Sequence, residues 1–419
     1  MKKNSTITQV NERQAASKPV TANHSDMEPD SKQSGRKRFK RILHRYYRLF
    51  GVLFVLLIFG LAILTALLPD QDYSASEKRS LTKFPELTLS SVADGSFMDG
   101  MEDWAADQFP LRNKLMQAKS SLSIGLGAIR SQDVYRCNDG SLMEAFSLPS
   151  DDLITSQAAS IIDFAERYPN KDIYFCLVPT AISVLEEKLP AATLTDDQNL
   201  YLDRMMSAVN SVSTVIDLRD TFAKNKSTTE LYYHTDHHWT TDAAYLAWKD
   251  LSDVMALDSK LSYTAGIVCN DFAGSLLSAS GFSANAYDAI KVYVPEENPL
   301  YTLTYDTEKR MTASVYCPEY LDSEDPYQIF FGGNYPKLTI RTAQDTDRKL
   351  LVFKDSYANC LLPFLIPDFA QITVIDPRYY YDDLDMEIQS VGYTDVLFLY
   401  NANTLAEDSC LVPVLKNEQ

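Results

Sequence analysis

The 419 residues include 39 lysines and arginines and 57 aspartates and glutamates, which gives a formal net charge of −18 at pH 7. Residues 1–48 are basic, so the acidic excess belongs to the rest of the chain. An acidic surface repels nucleic-acid phosphates, so no nucleic-acid partner is expected. A mean hydropathy of −0.21 excludes a polytopic membrane protein.

One apolar segment, residues 49–68, follows the basic region. It carries no charged side chain, and at ~1.5 Å per residue it spans ~30 Å, the thickness of a bilayer's hydrocarbon core. Dense Arg and Lys before it, and Asp70 and Asp72 after it, predict a cytoplasmic N-terminus and an extracytoplasmic remainder. A cleaved signal peptide is the alternative, although its apolar core would be shorter. We therefore expect a single-pass protein of the cell membrane.

The composition divides the chain into four predicted parts. Residues 1–48 form a basic cytoplasmic tail that is largely disordered, since residues 1–35 are polar and poor in aromatic side chains, and residues 49–68 form the transmembrane helix. Residues 69–130 are an extracytoplasmic stalk with helices, since Phe97, Met101 and Trp104 recur at helical spacing. Residues 131–419 form the main domain.

Strand-like and helix-like segments alternate in the main domain. Apolar runs predict strands at residues 172–179, 214–218, 328–331, 349–353, 371–375 and 395–400. Amphipathic stripes predict helices at residues 151–168, 201–211 and 242–255. This alternation is typical of an α/β fold with a mostly parallel sheet covered on both faces. In such sheets ligands bind beyond the carboxyl ends of the strands.

Six cysteines lie after the apolar segment, and none forms a CxxC pair, so the spacing suggests no zinc or thioredoxin-type motif. Their even number permits disulfides outside the cell, whereas Cys176 and Cys360 lie in apolar runs typical of buried free thiols. The sequence leaves both states open.

The three histidines after the membrane segment all lie in YYHTDHHWTTDAA, as His234, His237 and His238. A helix is predicted to begin after this segment with a threonine cap, which places His238 in the preceding loop. Asp236, two residues upstream, is near enough to accept the proton of one ring nitrogen and leave the other as a base. The alternative is a polar surface loop in which Asp236 caps a turn.

A second cluster follows the apolar run at residues 349–353, where Asp355 and Ser356 precede a short helix-forming stretch. A serine on a turn between strand and helix exposes its hydroxyl at the edge of the sheet, near free backbone N–H groups. Those groups are suited to an oxyanion. The alternative is an ordinary helix cap, since Asp and Ser are common there in any α/β protein.

Other predicted strands are followed by polar residues that are candidates for the oxyanion or the substrate: Asn401, Asn403, Gly333, Asn334 and Arg378. An asparagine side chain there can donate to an oxyanion, and a glycine lets a backbone N–H approach a ligand. The alternatives are Asx turns for the asparagines and an ion pair for the arginine.

The segment TDHHWT resembles the signature of the DHHW protein family, which is similar to the alginate O-acetyltransferase proteins of the SGNH-hydrolase-like superfamily. Their Asp-x-His-Trp-Thr motif falls on Asp236 and His238. The Gly-Asp-Ser block resembles Lys354-Asp355-Ser356, with Lys354 in place of the glycine, and the Gly-x-Asn-Asp block resembles residues 401–404. The resemblance covers about residues 75–405 and implies a three-layer SGNH-hydrolase-like domain with permuted motif order, the Asp-His pair preceding the serine.

This resemblance implies an enzyme. His238, oriented by Asp236, would take the proton of Ser356, which attacks an acyl donor and forms an acyl-enzyme. A polysaccharide hydroxyl or water would then accept the acyl group, without a metal or organic cofactor. A membrane-bound O-acyltransferase is the partner implied as acyl donor.

The sequence is compatible with two alternatives. Asp-His-His also occurs in metal-dependent phosphoesterases, although the further aspartate-rich motifs that they need are not evident here. The second alternative is a non-catalytic polysaccharide-binding or assembly protein on an SGNH fold.

Overall fold

The computed structural model describes residues 30–71, 73–74, 79–191, 193–258, 261–297 and 299–418. The chain divides into two units, Met1–Pro69 and Asp70–Gln419. In the first unit, helix α1 spans Asp30–Leu67, and its segment Ile42–Leu67 is long and apolar enough to cross a membrane. No other helix in the described ranges meets this test. The predicted tail is thus helical from Asp30 onward, and its remainder lies outside the described residues.

The second unit contains every strand found among the described residues. They are β1 (Tyr73–Ser74), β2 (Arg79–Ser80), β3 (Arg130–Ser131), β4 (Val134–Arg136), β5 (Leu142–Glu144), β6 (Asp172–Val178), β7 (Thr214–Val215), β8 (Tyr263–Phe272), β9 (Asp288–Pro295), β10 (Tyr301–Tyr305), β11 (Arg310–Thr312), β12 (Lys337–Thr342), β13 (Lys349–Lys354), β14 (Gln371–Ile375) and β15 (Asp395–Asn401).

Eight of these strands form the central sheet, in the order β11-β10-β12-β14-β13-β15-β6-β7. The pairs from β14 to β7 are parallel, and those from β11 to β14 are antiparallel. The predicted parallel sheet is therefore present, with an antiparallel extension that the sequence did not predict. Smaller sheets are formed by β1–β2, by β3–β5 and by β8–β9.

The helices of this unit are α2 (Leu89–Ala93), α3 (Ser96–Asp107), α4 (Arg112–Gly125), α5 (Asp151–Arg167), α6 (Ala181–Val184), α7 (Gln198–Val209), α8 (Arg219–Asn225), α9 (Thr241–Val254), α10 (Ser275–Ser280), α11 (Leu362–Leu365), α12 (Leu384–Val391), α13 (Ala402–Glu407) and α14 (Leu411–Lys416). Short 3₁₀-helices span Glu186–Lys188, Pro318–Tyr320, Pro326–Ile329, Ser356–Cys360 and Ile366–Asp368.

The parallel strands are apolar along nearly their whole length because both faces of the sheet are covered. All of β14 and β15, and five of the six residues of β13, are buried. On one face, Phe164 of α5 packs edge-on against Phe353 of β13 and Phe398 of β15, with ring centroids 5.7 and 5.8 Å away. Helices α7 and α14 contact α5, whereas α9 contacts α8 and α11.

One predicted strand is a helix in the structure. Residues 328–331 were expected to be extended, but the chain forms a 3₁₀-helix over Pro326–Ile329. Proline fixes φ near the helical value and has no N–H to donate to a strand, so it favours the start of a helix. This turn places Tyr327 beside His238.

All six cysteines are free thiols, and five of them are buried. Burial raises the pKa of the Cys360 thiol to about 12 and that of Cys137 to about 11, so both are protonated at neutral pH. The structure thus has free thiols and not the disulfides that the sequence also permitted.

Candidate active site

The loop that carries the histidines is tied to the end of β6. Tyr232 pairs with Trp239 across the loop, and the Tyr232 hydroxyl donates to the Pro179 carbonyl oxygen at 2.6 Å. The buried Trp239 indole donates to the Tyr357 carbonyl oxygen at 2.9 Å, one residue after Ser356. The bulky tryptophan therefore holds the histidine loop against the serine turn. Thr240 caps α9 by accepting from the Ala243 N–H, as predicted.

His238 lies between Asp236 and Ser356. Its Nδ1 is 2.5 Å from Asp236 Oδ1, and its Nε2 is 2.8 Å from Ser356 Oγ. A carboxylate oxygen only accepts, so Nδ1 carries the proton and Nε2 is free to accept from the serine hydroxyl. Asp236 and His238 are each 2% exposed, whereas Ser356 lines an open cavity. The side chains that the sequence singled out are thus in mutual contact; their catalytic roles remain a prediction.

Two further groups fix the orientation of these side chains. The other Asp236 oxygen, Oδ2, accepts from the Ser275 N–H at 2.7 Å and from the Ser275 hydroxyl at 2.8 Å. The Tyr327 ring stacks on the His238 ring with centroids 3.9 Å apart. Sequence reasoning missed both residues, because Ser275 follows a different strand and Tyr327 lies just before the segment that was predicted to be a strand.

Residue 274 must be a glycine because Asp236 packs directly against its backbone. A Cβ at this position would lie within 2.5 Å of the Asp236 Cα and of the Thr235 carbonyl oxygen. We expect Gly274→Ala to displace the Asp236 carboxylate and to lower kcat/KM for an ester substrate about 100-fold. The measurement is steady-state hydrolysis of p-nitrophenyl acetate. Gly266→Ala is the matched control, since nothing lies within 4 Å of its Cβ; equal rates for the two variants would contradict the prediction.

The serine turn is built by Asp355. Its Oδ1 accepts from the Tyr357 N–H at 2.8 Å, which caps the 3₁₀-helix Ser356–Cys360. Its Oδ2 accepts from the backbone and side-chain N–H groups of Asn401 at 2.8 and 2.7 Å. Asp355 therefore supplies the helix cap, and the Ser356 hydroxyl is left to contact His238.

Ser356 and His238 line one cavity of about 420 Å³. Three of the predicted oxyanion or substrate residues line it too: Gly333, Asn334 and Arg378. Residues that were not predicted complete the lining: His237, Asp325, Tyr327, Gln328, Gly332, Tyr335, Asn359 and Tyr379. Of these, Asn359 could have been proposed from the sequence, because it follows Ser356 by three residues, which is about one helical turn.

Several of the predicted donors are engaged elsewhere. The Asn401 amide donates to Asp355 and to the Thr404 hydroxyl, and the Asn403 amide donates to Glu144 and to the Ala145 carbonyl oxygen. Neither asparagine lines the Ser356 cavity. The Gly333 N–H donates to the Phe330 carbonyl oxygen at 3.3 Å. These three groups therefore hold the local fold together in this structure.

A cluster of three charged side chains adjoins the cavity, and one of them, Arg378, lines it. Asp376 accepts from Arg378 through both of its oxygens, and its Oδ2 lies 3.4 Å from Lys354 Nζ. Burial alone would raise the pKa of Asp376, but Lys354 and Arg378 hold it below its usual value. Burial lowers the pKa of Lys354, against the attraction of Asp376. The ion-pair alternative for Arg378 is thus realised in the structure.

His237 also lines a second cavity, of about 270 Å³, together with Glu144, Ser275 and Asn403. Its Nδ1 lies 2.6 Å from the Ser275 hydroxyl. Asp236, His237 and His238 also offer three ligand atoms within 4.8 Å of one another. Both nitrogens of His238, however, already face Asp236 and Ser356.

Glu144 is expected to make stability depend on pH. Burial, and then the charge of Glu407, raises its pKa from 4.5 to about 7. The protonated form is favoured by folding, so this contribution is fully present below pH 4.5 and is lost as the pH rises through 7. Between pH 4.5 and 8 the free energy of unfolding of the wild type should fall by about 2 kcal/mol relative to that of Glu144→Gln. Urea unfolding of residues 70–419 measures it, with exposed Glu324→Gln as control; a pH-independent difference would contradict the prediction.

Part of the chain is similar to a known protein family. Residues 148–298 match the family model described as SGNH hydrolase-like domain, acetyltransferase AlgX. The match includes Asp236 and His238 and ends before Ser356. No curated protein matches the chain.

Solved structures similar to this chain include proteins from two bacteria. A DHHW family protein from Eubacterium siraeum has 23% identity and a TM-score of 0.54, covering 68% of this chain and 94% of its own. PatB1 from Bacillus cereus has 22% identity and a TM-score of 0.56, covering 67% and 98%. PatB1 has also been solved with a sulfonyl adduct, with the same TM-score and identity. Residues 148–298 are thus similar to an AlgX-type SGNH-hydrolase-like domain, and the described residues form a mixed α/β fold with a large sheet and one N-terminal helix able to span a membrane.

Proposed function

We propose that this protein is an extracytoplasmic O-acyltransferase or esterase that moves acyl groups, acetyl above all, on a cell-surface or secreted polysaccharide. The observation that carries the proposal is the hydrogen-bonded series from Asp236 through His238 to Ser356 at the wall of a cavity. The match to an acetyltransferase domain supports the choice of acyl chemistry.

The proposed reaction uses the chain's own residues. Ser356 Oγ attacks the donor carbonyl carbon while its proton passes to His238 Nε2, and Asp236 stabilises the imidazolium that forms. His238 then protonates the leaving group. In the second half His238 takes a proton from a sugar hydroxyl or from water, whose oxygen attacks the acyl carbon. The bond from that carbon to Ser356 Oγ then breaks, and Ser356 recovers its proton from His238.

The donor is proposed to reach the site through a partner. Acyl-coenzyme A is cytoplasmic, so an extracytoplasmic serine needs a relay across the membrane, and a membrane-bound O-acyltransferase would supply it. Helix α1, with basic residues before its apolar segment, supports single-pass anchoring with a cytoplasmic N-terminus.

The test is to trap the acyl-enzyme. Full-length protein in detergent is incubated with p-nitrophenyl acetate, and peptide mass spectrometry then maps the acetyl group. We expect Ser356 to become acetylated. If added polysaccharide then takes up the acetyl group, the protein is a transferase; if the acetyl group passes to water alone, it is an esterase.

EDTA should leave the rate of p-nitrophenyl acetate hydrolysis unchanged, and a rate abolished by EDTA would favour the metal-dependent alternative. A folded protein that acquires no acetyl group, beside an unmodified Ser356→Ala control, would favour the polysaccharide-binding alternative.

A further inference from the structure

Lys354 is a buried cation that the mechanism above does not use. It is the last residue of β13, two positions before Ser356, and it is 1% exposed. Its Nζ lies 2.7 Å from Asn334 Oδ1, 3.0 Å from Asn359 Oδ1 and 3.4 Å from Asp376 Oδ2. An ammonium group has three N–H donors, so each is matched by one oxygen. A buried charge needs such partners, and two of these partners line the Ser356 cavity.

The lysine fixes which way both amides face. Because an ammonium group only donates, the oxygens of Asn334 and Asn359 must point toward it, and their NH₂ groups point away. One N–H of Asn359 donates to Asn334 Oδ1 at 3.2 Å. Among the described residues, no partner is found for the second N–H of Asn359 or for either N–H of Asn334. The cluster therefore presents unused donors at the cavity wall.

The backbone brings these donors to the serine. Ser356–Cys360 is a 3₁₀-helix with three residues per turn, so Asn359 lies on the same side of it as Ser356. Asn334 follows Gly332 and Gly333, which have φ angles of 76° and 114°, and all three residues line the cavity. The asparagines that the SGNH pattern suggested, Asn401 and Asn403, donate elsewhere.

We propose that Lys354 is a positioning residue which, through Asn334 and Asn359, orients amide N–H groups toward the carbonyl oxygen of the acyl donor. This inference rests on the proposed function. When Ser356 Oγ bonds to the carbonyl carbon, the carbonyl π pair moves onto oxygen and the serine proton moves to His238. Fixed donors stabilise that negative charge without having to reorient. Lysine stands where the serine block of SGNH enzymes has glycine, and its amide partners supply donors that Asn401 and Asn403 do not.

The test compares variants of the full-length protein in detergent with p-nitrophenyl acetate as the probe. Lys354→Met removes the three donors at nearly the same length, and Asn334→Ala removes an exposed side chain without disturbing the core. Each is expected to lower kcat about 10- to 100-fold with little change in KM, since the lost contact belongs to the transition state. The kcat of the double variant Lys354→Met/Asn334→Ala should be little lower than that of either single variant, because the lysine acts through the amide.

The matched control is Lys349→Met at the other end of β13, whose Nζ donates to the Val391 carbonyl oxygen. It should retain wild-type kcat. Should Lys354→Met fail to fold, as judged by circular dichroism, Asn334→Ala and Asn359→Ala carry the test. Wild-type kcat in Asn334→Ala, or fully additive losses in the double variant, would overturn the inference while Ser356→Ala remained inactive. Equal turnover by wild type and Ser356→Ala would overturn the proposed function and the inference with it.

Discussion

Replacing Ser356 by alanine is expected to lower kcat/KM for p-nitrophenyl acetate by about 10³- to 10⁶-fold. The Ser356 hydroxyl is held 2.8 Å from His238 Nε2, so its removal leaves only water for the base to activate. Residual turnover would come from binding and from the donors at the cavity wall. The measurement is steady-state and burst-phase kinetics of the full-length protein, and the burst of p-nitrophenol should vanish.

Two other serine variants serve as controls for this prediction. Ser390→Ala, on the exposed side of α12, should behave as wild type. Ser275→Ala removes one of two bonds to Asp236 Oδ2, and its effect should be far smaller than that of Ser356→Ala. Activity of Ser356→Ala within tenfold of wild type would refute the serine as nucleophile.

Asp236→Asn carries the second-largest expected effect, a loss of about 10³- to 10⁴-fold in kcat. An amide NH₂ facing His238 Nδ1 favours the tautomer that is protonated on Nε2, and that nitrogen then cannot accept the Ser356 proton. The side chain keeps its size, so thermal unfolding should change little. Steady-state kinetics with the same ester measure the loss.

The control is Asp271→Asn, an exposed carboxylate on β8 that should leave kcat unchanged. Combining Asp236→Asn with Ser356→Ala should lower activity no further than Ser356→Ala alone, because the two residues act as one unit. Losses that multiply would show instead that Asp236 acts independently of the serine.

The parallel part of the fold was predictable because its strands are buried on both faces. β14 was predicted over its full length, and β13 to within one residue, from uninterrupted apolar runs. The antiparallel strands gave a weaker signal. In β12, polar Thr339 and Arg341 alternate with Leu338 and Ile340, and a run this short was not assigned as a strand.

The contact between Asp236, His238 and Ser356 followed from chemistry that is visible in the sequence. All histidines of the domain lie in one segment, and Ser356 follows a strand whose carboxyl end must lie at the ligand-binding edge. The orientation of amides could not be predicted in the same way. Whether Asn401 or Asn359 faces the cavity depends on which neighbour its NH₂ group meets, and that neighbour comes from a distant part of the chain.

The same sheet order has a consequence for biogenesis. Strand β6 pairs on its inner side with β15, which is synthesised about 200 residues later. At ~5–20 residues per second, the ribosome needs ~10–40 s to make the missing partner, and for that time one edge of β6 has unpaired backbone groups. A premature stop shortly before residue 395 would thus delete the middle of the sheet. Such a chain would lack the strand that pairs with β13 on one side and with β6 on the other, and β13 leads directly into the serine turn.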